Sequence, residues 1–189
     1  MKLSPTSAHQ HEMRHAYHDG APGILVSGLV WLTAALVCSQ RGNNAAVWTL
    51  LVGGALIHPI GTLISKSLGR PAKTHTTNAL NQLAMASTVW LILCCAMAYG
   101  LFLLNSALFF PAMMATIGSR YLILATVYGR PIYWILGGSL LVAAHLLFFA
   151  AAPSAVAALI GGVIEVLFAF RLFSRASTPT SPDAASLTA

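Results

Sequence analysis

Six runs of about twenty apolar residues, separated by short polar breaks, constrain this 189-residue chain more than any other feature. A helix needs about 20 apolar residues to cross the hydrocarbon core of a bilayer, at about 1.5 Å of rise per residue. The runs are residues 21–38, 45–64, 82–104, 107–127 (interrupted by Ser119 and Arg120), 132–151 and 154–173 (with Glu165 inside). The breaks carry turn chemistry: Arg41-Gly42-Asn43-Asn44, Asn105-Ser106, Gly129-Arg130-Pro131 and Pro153-Ser154. Two of them, Asn105-Ser106 and Pro153-Ser154, are short enough to require helical hairpins. The composition is 57% hydrophobic and 7% charged, where a soluble domain carries about 45–50% and about 25%. A water-soluble globule is thereby excluded, and so is a disordered chain, which is poor in hydrophobics. The expected fold is all-α, a polytopic membrane bundle of six transmembrane helices over residues 21–173.

Charge orients the bundle. Lys2, Arg14, Lys66, Arg70, Lys73, Arg130, Arg171 and Arg175 fall on one side of the six spans, and only Arg41 on the other. Basic residues flanking membrane helices collect on the cytoplasmic side. Both termini are therefore expected inside, in a bacterial cytoplasmic (inner) membrane. Residues 1–20 form a cytoplasmic tail or a surface helix ending at Gly20, and residues 174–189, rich in Ser, Thr, Pro and Ala, a disordered cytoplasmic tail. The run 24–38 is short enough for a signal peptide, but some twenty polar residues precede it and no small-x-small site follows, so it counts as the first span. In a soluble protein the net charge of +6 would suggest nucleic acid. Here the cations are scattered singly between apolar runs, which excludes that partner. Cys38, Cys94 and Cys95 lie in apolar runs and form neither a disulfide framework nor a zinc pattern.

Chemistry is expected where polar groups enter the membrane. Arg120 and Glu165 are the charged residues within spans. Such groups are costly, face the bundle interior and find partners. Counted from the outer ends, Arg120 and Glu165 lie at depths that differ by roughly 3 Å, and His58 shares their layer. The functional reading is a substrate or proton site made of His58, Arg120 and Glu165, in which arginine clamps an anion while glutamate and histidine exchange protons. The structural reading is an Arg120–Glu165 pair that fixes helix register. His58 precedes Pro59, which removes a helix hydrogen bond.

Secondary candidates are His145, read as a hydrogen-bonded packing residue, and Asn78, Asn81 and Gln82. The last three read as a capped helix start or a polar vestibule. Tyr128, Tyr133 and Trp134 read as an inner aromatic belt, with Tyr99, Tyr121 and Trp90 as further candidate anchors. His9, His11, His15 and His18 invite a metal reading, but with no second ligand cluster no metal site is assigned. The sequence Trp48…Gly53-Gly54…His58 is echoed by Trp134…Gly137-Gly138…His145, which leaves open an inverted repeat of two helix triplets. No cofactor motif is present, and no nucleophile elbow, phosphate loop, paired carboxylates or HExxH occurs.

Several short motifs carry a resemblance over about residues 22–150: Pro59-Ile60-Gly61, Asn78-x-Leu80-x-x-Leu83, Pro111-Ala112-Met113-Met114, Gly118-Ser119-Arg120-Tyr121, Tyr128 and Tyr133. In these the chain resembles an uncharacterised bacterial family of small multi-pass membrane proteins, known only as a domain of unknown function. The resemblance implies a histidine where Arg120 stands here. The exchange replaces a titratable base by a permanent cation and weakens a proton relay at that position. No activity is implied.

Three functions follow as expectations. The first is a small transporter-like or solute-binding membrane protein built on His58, Arg120 and Glu165. The second is a structural or accessory membrane protein without a substrate, and the third a membrane-embedded enzyme. The expected partners are the lipid bilayer, a small-molecule ligand of unnamed class and, as one option, a second copy of the chain as a homodimer.

Overall fold

Each apolar run becomes a helix, because inside a bilayer every backbone N–H and C=O must be satisfied within its own segment. The computed structural model describes residues 5–176 of the chain. Helix α1 (Pro5–Tyr17) leads through a 3-10 turn (His18–Gly20) into α2 (Ala21–Arg41). There follow α3 (Asn43–Ser67), α4 (Ala79–Leu104), α5 (Phe109–Tyr128), α6 (Ile132–Phe149) and α7 (Ser154–Ala176). Six helices are long and apolar enough to cross a membrane, the first counted from Thr6 through the turn to Arg41. Helix α7 continues past residue 173. Residues 177–189 of the expected disordered tail lie outside the described residues.

Local sequence sets the helix ends. Asn78 caps α4, its side-chain oxygen accepting from the Leu80 N–H at 3.0 Å, and Asn105 does the same for Ala107 at 3.0 Å. Gly129 closes α5 in the left-handed conformation at φ 59°. Helix α3 runs through Pro59 without ending.

The helices pack as two groups of three. Helix α2 lies between α3 and α7, and α5 lies between α6 and α4. Trp31 of α2 meets Phe110 of α5 with ring centroids 5.9 Å apart, at the centre of a core that includes the fully buried Phe109 and Met114. Glycine allows the closest approaches. A Cβ added at Gly137 would stand 2.6 Å from the Gly118 carbonyl oxygen, and one at Gly28 would stand 3.1 Å from the Gly162 carbonyl oxygen. Exchanging α2 with α5, α3 with α6 and α4 with α7 maps the order within the two groups onto itself, although α6 packs on α7 while α3 and α4 make no comparable contact. Gly53 touches Val30 of α2 as Gly137 touches Gly118 of α5, while Gly54 and Gly138 both face open space.

The outer surface is apolar. Met85, Ile92, Met97, Leu103, Ile135, Leu146 and Leu167 are each more than 60% exposed, the reverse of a soluble protein and what a hydrocarbon solvent requires. Trp90 and Trp134 stand on that surface. Tyr121, Tyr128 and Tyr133 do not: at 6%, 9% and 1% exposed they are packed inside the bundle rather than forming a lipid-facing belt. The inward stripe Met114, Gly118, Tyr121, Ala125 and Tyr128, all buried, follows the alternating four- and three-residue steps of one helix face.

The helix ends form two layers. At one end lie α1, the 68–78 connection, Arg130 and the close of α7, where the His18 and Phe173 rings meet at 5.4 Å. At the other end Asn43 Nδ2 donates to Ser106 Oγ at 2.9 Å and Ser154 Oγ to the Ser106 carbonyl at 3.4 Å. The connections rich in Lys and Arg thus share one end with α1.

Candidate functional site

A charge moved from water into a low-dielectric interior is costly unless it is paired and hydrogen-bonded. The two in-span charges are therefore the first groups to place. Glu165, in α7, is completely buried. Its Oε1 accepts a 2.7 Å hydrogen bond from the Tyr121 hydroxyl of α5. Its Oε2 has no hydrogen-bond partner, although the buried Ser27 hydroxyl of α2 lies beside the carboxyl group. Three helices thus converge on one acid.

Arg120 precedes Tyr121 in sequence and turns to a different neighbour. Its Nη2 donates to Thr88 Oγ1 of α4 at 3.0 Å, and its buried Nε has no partner. Consecutive helical residues point about 100° apart, so α5 directs Tyr121 towards α7 and Arg120 towards α4. The expected layer of His58, Arg120 and Glu165 does not close into one constellation. Among the described residues the ion pair is Arg130–Asp19; Arg120 and Glu165 form none. The structural reading of a register-fixing Arg120–Glu165 bridge is corrected accordingly, because helix azimuth separates what depth had aligned. His58 is exposed on the outer face of α3.

From Glu165 a column of tyrosines leads to the basic end. The Tyr121 and Tyr133 rings lie 6.0 Å apart, and Tyr133 stacks on Tyr128 at 5.3 Å and 11°. The Tyr133 hydroxyl donates to the Asp19 carbonyl at 2.6 Å. The Asp19 carboxylate takes two bonds from Arg130, 3.1 Å from Nε and 3.2 Å from Nη2. Both His18 and Asp19 adopt positive φ, at 51° and 54°, a conformation that costs non-glycine residues free energy and is held by its surroundings.

Helix α1 lies across this end and is anchored there. Gln10 Nε2 donates to the Thr126 carbonyl at 2.8 Å and Arg14 Nη1 to the Tyr128 carbonyl at 2.7 Å. Both carbonyls belong to the last turn of α5, where the helix itself leaves acceptors free and its dipole favours a cation. Asn78 Nδ2 donates to Glu12 Oε2 at 2.8 Å and to the His9 carbonyl at 3.2 Å. The other Glu12 oxygen accepts from the His75 N–H. Asn78 is therefore both the cap of α4 and the clasp of α1, a double role that its place in the sequence did not reveal. Asn81 is half-buried and Gln82 exposed at the same helix start.

His145 makes a hydrogen bond, as expected, but is not packed inside the bundle. It is exposed, and its Nδ1 bonds the Leu141 carbonyl at 2.8 Å. It lines an open apolar cavity of about 400 Å³ with Leu101, Leu108, Pro111, Phe148 and Phe149. A second cavity, about 350 Å³, lies between α1 and the 68–78 connection. Neither includes Arg120 or Glu165. Among the described residues no group of three or more His, Cys, Asp or Glu side chains is placed to hold a metal ion.

Over residues 6–175 the chain matches the family described as "Family of unknown function (DUF7010)". The match spans most of the chain and extends beyond residues 22–150 at both ends. The chain therefore belongs to that family. No curated protein and no solved structure matches it.

Proposed function

We propose that this member of a family without an assigned function is a small transporter-like, solute-binding protein of the bacterial inner membrane. Both its termini lie in the cytoplasm, Arg120 binds an anionic group and Glu165 carries a proton or cation. One observation supports the reading above all: the two charges inside the bundle do not neutralise each other. Each keeps an unpartnered buried polar atom, Arg120 Nε and Glu165 Oε2. A pair that served only to set register would be bonded to itself. An uncompensated carboxylate in this setting requires a proton or a cation, and an uncompensated guanidinium an anion. The exchangeable packing order of α2–α4 and α5–α7 supports the same reading, since inverted triplets are a common architecture of secondary transporters. The side assignment rests on the bias of Lys and Arg towards the α1 end.

A structural or accessory role is the second reading. It draws on the close glycine-mediated contacts between α5 and α6 and on the position of the two cavities away from both charges.

The test is uptake of a panel of radiolabelled small carboxylates and phosphates into proteoliposomes under an imposed pH gradient. Wild-type protein is expected to accumulate at least one of them, while Arg120→Gln and Glu165→Gln, each still monodisperse in detergent, lose that uptake. Wild-type uptake no higher than in protein-free vesicles across the panel removes the transport reading and leaves the structural one.

A further inference from the structure

We propose that the open pocket between α1 and the 68–78 connection binds the phosphate of an anionic phospholipid headgroup. Its lining is Glu12, His15, Pro71, Lys73, Thr74 and His75, around a volume of about 350 Å³. Three observations converge on an anion carrying several acceptor oxygens.

The first is the balance of charge. The described acidic side chains are Glu12, Asp19 and Glu165. Glu165 is buried in the bundle, and Asp19 is occupied by Arg130. Each oxygen of Glu12 accepts one hydrogen bond, from the His75 N–H and from Asn78 Nδ2, which ties the carboxylate to the 68–78 connection and α4 rather than to a cation. Lys66, Arg70 and Lys73 at this end are thus left without a carboxylate partner among the described residues. The second is a spare donor. The Thr74 hydroxyl, in the wall beside Lys73, is shielded from solvent and has no hydrogen-bond partner. The third is that His15 and Lys73 are both exposed on the pocket rim, from opposite walls, so the imidazole and the ammonium group are free to reach one ligand. Lysine and histidine are ordinary phosphate partners.

Depth selects the lipid as the source of that phosphate. Helix α3 ends at Ser67 and α4 begins at Ala79. The pocket therefore lies just past the ends of two apolar spans, at the level of the headgroups, where juxtamembrane Lys and Arg meet anionic lipid. A soluble phosphate offers the same chemistry without an acyl chain to lie along the exposed apolar faces of α3 and α4. The proposal does not depend on Arg120 or Glu165 and can fail or stand without them.

The experiment uses the full chain in a mild non-ionic detergent, with bound lipid read by native mass spectrometry during titration with phosphatidylglycerol, phosphatidylcholine or inorganic phosphate. Phosphatidylglycerol is expected to bind best. Lys73→Gln is expected to weaken it about fivefold, the loss that accompanies removal of one juxtamembrane cation. His15→Gln should weaken it further, and Arg41→Gln, at the opposite end, should leave it unchanged. Both pocket residues are exposed, so neither change threatens folding. An equal loss in Arg41→Gln, no loss in Lys73→Gln, or full competition by equimolar inorganic phosphate would each overturn the lipid site.

Discussion

Replacing Gly137 by alanine should separate packing from composition in this bundle. A Cβ at Gly137 would meet the Gly118 carbonyl oxygen at 2.6 Å and Leu122 Cδ2 at 2.7 Å. Ordinary van der Waals contact begins near 3.4 Å, so α5 and α6 would have to part by roughly 0.8 Å. Backbone oxygen cannot rotate away as a flexible side chain would. Overpacking of this kind costs about 1–3 kcal/mol. The adjacent Gly138 is the control, because nothing lies within 4 Å of its added Cβ. Alanine there gains up to about 1 kcal/mol of helix propensity on scales measured in water. The two variants add the same methyl group at adjacent positions and gain the same helix propensity, so Gly137→Ala should be less stable than Gly138→Ala by the overpacking cost alone, about 1–3 kcal/mol. Reversible unfolding by sodium dodecyl sulfate titration in mixed micelles, followed by far-ultraviolet circular dichroism, measures the difference. Equal stability of the two variants would refute the close α5–α6 approach, which also sets the distance between Tyr121 and Tyr133.

Further outcomes are expected at the polar groups. Asn78→Ala removes a helix cap worth about 1 kcal/mol and two donors to α1; amide hydrogen exchange should rise through Pro5–Tyr17 before it rises in α5 or α6, and unchanged exchange in α1 would show that the clasp lies elsewhere. Tyr121→Phe removes the 2.7 Å bond to Glu165 and leaves Ser27 as the neighbouring hydroxyl; it should cost about 1–3 kcal/mol in the same unfolding assay, with a change under about 0.5 kcal/mol counting against the bond. Thr88→Val keeps the shape but removes the acceptor for Arg120; the expected loss is again about 1–3 kcal/mol, and Thr88→Ser should restore most of it.

The number of helices was legible because lipid leaves the backbone few choices. Twenty apolar residues bounded by Gly42, Asn105, Gly129 or Pro153 become a spanning helix whatever their order, and Asn78 announced a cap by its type and place. Rotation was not legible in the same way. When apolar residues cover every face, periodicity no longer marks the inward one, so depth placed His58, Arg120 and Glu165 in one layer while azimuth turned Arg120 to α4, Glu165 to α5 and His58 to the outer surface. One signal went unused: Tyr121 and Tyr128 stand seven residues apart on α5, in step with Met114, Gly118 and Ala125, and that stripe marked the inner face. The Asp19–Arg130 bond joins residues 111 apart in sequence, and the clasp between Glu12 and Asn78 spans 66; no local rule connects such positions. The N-terminal segment read as a tail or a surface helix, and its polar residues are the donors and acceptors that fasten it to α4 and α5.

A double-mutant cycle between Arg120→Gln and Glu165→Gln tests the central point most directly, namely that these two charges occupy separate sites. Folding stability of wild type, both single variants and the double variant gives the coupling between them. Independent sites combine additively to within about 0.5 kcal/mol, and that is the expected result. A coupling of about 3 kcal/mol, the scale on which a broken buried ion pair is felt, would contradict it and restore the register-fixing bridge.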